Sequence, residues 1–100
     1  MTLKHEDIQQ LLGGATPVGI QCVYTCQNPD ESIEMCEQDE ATFVSVYLRT
    51  DNGEVVPVAD HAVANKWNSA ALAKGYARNT IMDLRALLGN LPIEPMGALT

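Results

Sequence analysis

The chain has 100 residues, 46% of them hydrophobic, and its 13 acidic and 6 basic side chains give a formal charge of −7 and a pI near 4.5. This length suits one domain with one modest core, and the apolar fraction is too high for a disordered chain. The acidic balance excludes a general nucleic-acid or anionic-membrane binder, which needs a basic field, and three cysteines are too few and odd in number for a disulfide scaffold.

Met1 to Asp7 carries acids where a secretory leader is basic and then apolar, and the stretch from Pro17 to Tyr24 is too short to span a bilayer. A cytoplasmic setting follows, with no membrane contact and with Cys22, Cys26 and Cys36 as reduced thiols. The first element reads as a short helix with Thr2 as its N-cap. Ile8, Leu11 and Leu12 share one face, and Gly13-Gly14 ends it.

Residues 17–26 then alternate. Val18, Ile20, Cys22, Tyr24 and Cys26 fall on one face, and Gly19, Gln21, Val23 and Thr25 on the other, which predicts a strand. The segment 29–38 reads two ways. Asn28-Pro29 with Glu31 suits a helix start, whereas a turn over Asn28–Glu31 followed by alternation of Ile33 and Met35 suits a short edge strand. The edge strand is the favoured reading, because so polar a segment has little with which to dock a helix.

A hairpin comes next. Val44, Val46 and Leu48 alternate along one arm, Asp51-Asn52-Gly53 supplies the turn, and Glu54–Val58 returns, with Pro57 marking an edge. From Asp60 to Leu88 the spacing predicts a long helix, either unbroken or interrupted near Asn68-Ser69. Val63, Trp67, Ala70, Ala73, Ala77, Ile81, Leu84 and Leu88 form its stripe, whose alanine centre lets it lie close to a sheet. Leu72, Tyr76 and Leu87 lie off that stripe and either widen the buried face or serve a homodimer contact. Residues 92–100, with two prolines and a glycine, read as a loosely ordered tail behind a domain of residues 1–91. The fold class is α+β: a small single domain with an antiparallel sheet of three or four strands, a short N-terminal helix and a long C-terminal helix packed on it.

The chemistry-bearing residues form no enzyme motif. On a strand, the sulfurs of Cys22 and Cys26 stand ~13 Å apart, too far to share a zinc, so both read as small core hydrophobes. Cys36, between Glu34 and Glu37, reads as exposed, with a thiol made less reactive by the carboxylates. Asp60 reads as a helix cap rather than the orienting partner of His61, and His5 and His61 give no metal-ligand spacing. No catalytic residue, cofactor or metal site is expected, and a small thiol- or metal-dependent enzyme is the least supported class.

Charge is the feature that departs from background. Residues 1–27, 28–60 and 61–100 carry −1, −8 and +2 respectively. Asp30, Glu31, Glu34, Glu37, Asp39 and Glu40 stand within one short run, without the spacing or glycine of a calcium loop. Such a run solubilises an edge, or it presents an acidic surface to an unknown basic protein partner. The expectation is a non-enzymatic interaction domain using Asp30–Glu40. The alternative is a nucleic-acid-mimicking inhibitor encoded by a phage or other mobile element. Lys74, Arg78 and Arg85 on the long helix read as solvation or internal pairing, not as a nucleic-acid groove.

Overall fold

The computed structural model describes residues 4–27, 33–36, 41–63 and 70–97. In chain order these form α1 (His5–Leu12), β1 (Pro17–Gln27), β2 (Ile33–Met35), β3 (Phe43–Thr50), β4 (Val55–Ala62), α2 (Ala70–Leu88) and β5 (Ile93–Gly97). The fold is a small single α+β domain, with a short N-terminal helix and a long C-terminal helix packed on an antiparallel sheet. That sheet runs β2-β1-β3-β4, and β5 adds a parallel fifth strand beside β1.

Alternation does what the sequence leads one to expect in β1 and β3. Ile20, Cys22, Val44, Val46 and Leu48 are all buried in one cluster with Ala73, Ala77, Ile81 and Leu84 of α2. Alanine at the centre of the helical stripe brings the α2 backbone close to β3, because no long side chain holds the two apart. Ile8 and Leu12 bring α1 against the edge strand β4. Leu11, expected beside them, is 46% exposed, since a two-turn helix touching one strand buries only the i, i+4 pair. Lys4, which makes no side-chain cap, occupies the N-cap, while Thr2 lies outside the described residues.

The β3–β4 turn has the predicted chemistry. Gly53 has φ 85°, Asn52 Oδ1 accepts from the Glu54 amide at 3.1 Å, and the Thr50 hydroxyl donates to Asn52.

Two expectations need correction. Asp60 and His61 do not open a helix: β4 continues through them to Ala62. A bulge explains the misreading. Val46 pairs with Ala59 but Tyr47 with Pro57, so Val58 is an extra residue and the alternation of β4 changes phase midway. Within the described residues α2 starts at Ala70, and Trp67 falls outside them.

The expected loose tail is the second correction, since Ile93–Gly97 forms β5. Ile20 pairs with Ile93, and its amide donates to the Pro92 carbonyl at 2.9 Å. The chain therefore leaves β4 at one edge, crosses β3 and β1 through α2, and returns parallel on the far side. A parallel return requires a crossover, which α2 supplies.

Candidate functional site

β1 has one edge fully paired with β3, while its other edge is shared by two short strands. β5 takes the stretch around Ile20 and Cys22, and β2 takes Thr25, Cys26 and Gln27. Of the sequence-predicted acidic site, Glu34 on β2 is the residue the structure describes. Glu34 pairs with Cys26 in the β1–β2 register and is exposed, beside Met35 at 63% exposure. Asp30, Glu31, Glu37, Asp39 and Glu40 lie outside the described residues.

The cysteine reading is corrected here. Cys26 and Cys36 form a disulfide with a Cα–Cα separation of 6.1 Å, and only Cys22 remains a free thiol. The pair is diagonal: Cys26 lies opposite Glu34, and the Cys36 amide donates to the Tyr24 carbonyl at 3.0 Å. Both half-buried cysteines therefore share one face of the two-stranded ribbon, a geometry that permits bridging. The signal was available in the favoured strand reading of 29–38, in which a turn after Asn28 would return Cys36 to the side of β1. Cys22 behaves as predicted, as a small core hydrophobe. Burial pushes its thiol up to about 11, against the pull of Lys74 and Arg78, so it is protonated and inert at neutral pH.

The Asp60–His61 pair is separated by the strand itself, because successive residues point to opposite faces. His61 turns toward α2, where Nε2 lies 2.8 Å from Thr80 Oγ1 and the ring stacks with Tyr76 at 6.3 Å between centroids. Thr80 donates to the Tyr76 carbonyl at 3.3 Å, so His61 Nε2 is assigned as the donor to Thr80. Burial lowers its pKa, opposed by the Asp60 carboxylate.

Asp60 turns the other way and ends a chain of hydrogen bonds across three strands. Ser45 Oγ donates to Asp60 Oδ1 at 2.6 Å, which leaves Thr25 as the donor in the 2.8 Å contact with Ser45. Thr25 and Ser45 are 1% and 0% exposed, so this chain satisfies polar groups that would otherwise be buried unpaired.

At the other end of the same face, Arg49 Nε meets Glu94 Oε1 at 2.5 Å, joining β3 to β5 across β1. Gly19 makes that crossing possible. A Cβ on it would stand 3.0 Å from Glu94 Oε1 and 3.8 Å from the Arg49 guanidinium.

Among the cations of α2, Lys74 sits 5.9 Å from the Tyr24 ring centroid, a cation–π contact. Leu87 packs on the core, whereas Leu72 and Tyr76 are exposed at 47% and 54%. Among the described residues no cluster of three or more His, Cys, Asp or Glu is placed to hold a metal, and no helix is long and apolar enough to cross a membrane. No known protein family matches the chain, and no curated protein or solved structure resembles it closely enough to count as a match.

Proposed function

We propose that this domain is a non-enzymatic interaction module that binds a basic protein surface through Asp30–Glu40. One observation supports the reading: six of the 13 acidic residues stand in this single run, and Glu34, the one of them among the described residues, is exposed on the edge strand β2. A concentrated acidic field accelerates encounter with a basic partner and sets its orientation. The reading places the domain in the cytoplasm, where a disulfide is normally transient or redox-sensing rather than a permanent staple.

The test separates local charge from net charge. One variant reverses Glu34, Glu37 and Asp39 to lysine, and a matched variant reverses Glu6, Asp7 and Asp83. Binding of a labelled deca-arginine peptide is then measured by fluorescence anisotropy at low and high salt. Loss of binding in the first variant alone supports the acidic-edge reading. Equal weakening in both, or retained binding in the first, refutes it.

A further inference from the structure

We infer that the Cys26–Cys36 disulfide is a redox latch, which holds β2 on the edge of β1 when closed and releases it when reduced. The inference does not depend on what the acidic segment binds.

β2 is three residues long, and among the described residues it meets β1 in three register pairs, extended by the Cys36 amide bond to Tyr24. Glu34 and Met35 both face solvent, so at these two positions little apolar burial offsets the entropy of ordering the strand. A covalent tie across a sequence separation of 10 supplies that missing term by restricting the released segment.

The rest of the sheet has an independent basis. β1 and β3 pair along their length, β5 covers a different part of the β1 edge, and the core cluster contains neither Cys26 nor Cys36. Opening the bond therefore acts locally. Both bridging residues are half-buried rather than sealed in the core, and the remaining thiol, Cys22, is fully buried and protonated, so it does not exchange with them.

The chemistry needs a dithiol reductant. One of its thiolates attacks a sulfur of the bridge, the S–S bond breaks, and a mixed disulfide forms. Its second thiol then displaces the protein sulfur, leaving Cys26 and Cys36 as thiols and the reductant as a cyclic disulfide, with two electrons and two hydrogens transferred. Reduction frees the β1 edge at Tyr24 and Cys26, whose backbone groups face β2 and would open to another strand.

The test uses the full chain, oxidised and then treated with dithiothreitol under native conditions. Amide exchange is followed by NMR at Glu34 and Cys36, whose amides face β1, with Val44 and Val46 as reporters of the central sheet. The latch predicts exchange about a hundredfold faster at the first group on reduction, unchanged exchange at the second, and reversal on reoxidation. The Cys26→Ser/Cys36→Ser variant should match the reduced protein without any reductant. Exchange at Glu34 and Cys36 that stays within twofold overturns the inference. So does resistance of the bond to reduction in the folded protein, or a loss of protection spreading to Val44 and Val46, which would make the bond a global staple.

Discussion

Leu84 and Leu72 lie on the same helix and offer the sharpest test of how α2 docks. Leu84 is 0% exposed within the core cluster, and Leu72 is 47% exposed on the outer side. Changing either to alanine has the same intrinsic effect on helix propensity, so the difference between them reports packing alone. At Leu84 the loss combines transfer of the missing atoms with the cavity left behind, ~3 kcal/mol. At Leu72 roughly half the area is already in water and no closed cavity forms, which leaves under ~1 kcal/mol. A domain of this size is stable by only about 5–15 kcal/mol, so Leu84→Ala removes a large fraction of the total. With a urea m-value of ~1–1.5 kcal/mol per molar, the unfolding midpoint should fall by ~2–3 M for Leu84→Ala and by under ~1 M for Leu72→Ala. Urea titrations followed by circular dichroism measure both. Equal losses, or a larger one at Leu72, would refute the docking of α2 through its alanine-centred stripe.

The Arg49–Glu94 contact should show a coupling of about 1 kcal/mol or less in a double-mutant cycle, since the Arg49 side chain is 43% exposed and screened by solvent. The coupling should shrink with added salt, and it should vanish in a Gly19→Val background; an undiminished value there would show that the crossing does not need the glycine. His61 sets a pH dependence. Its folded pKa lies below the ordinary 6.5, so the unfolded chain binds the proton more tightly; this contribution is complete above about 6.5 and is lost as pH falls through the lowered folded value. Stability measured from pH 7.5 to 5 should therefore decline less in His61→Gln than in the parent, and parallel curves would contradict the assignment.

Much of the fold was legible because its signals are local. The alternation of Ile20, Cys22 and Tyr24, the Asp51-Asn52-Gly53 turn and the Ala73–Ala77–Ile81–Leu84 stripe each reveal themselves within a few residues. What escaped depends on phase or distance. Val58 shifts β4 by one position, so Asp60-His61 imitates a helix start although the strand is still running. β5 is recognisable only through its distant partner β1, and prolines at 92 and 95 give it the composition of a tail. The acidic segment was conspicuous as charge, whereas the Cys26–Cys36 bond depends on the pairing of β2 with β1, and an odd cysteine count with no secretory leader points to thiols.

The shared edge of β1 also bears on how the molecule assembles. The two strands that share it arrive from very different distances: β2 is the next strand in the chain, and β5 comes only after all of α2 has been laid across the sheet. Closing a longer loop costs more entropy before any contact rewards it, so the parallel seam between Ile20 and Ile93 is the natural last step of folding. Until then the N-terminal half of β1 presents an unpaired edge, open to a neighbouring chain during synthesis. Part of the protection of the first long strand against mispairing is thus supplied by residues that leave the ribosome more than half a chain later.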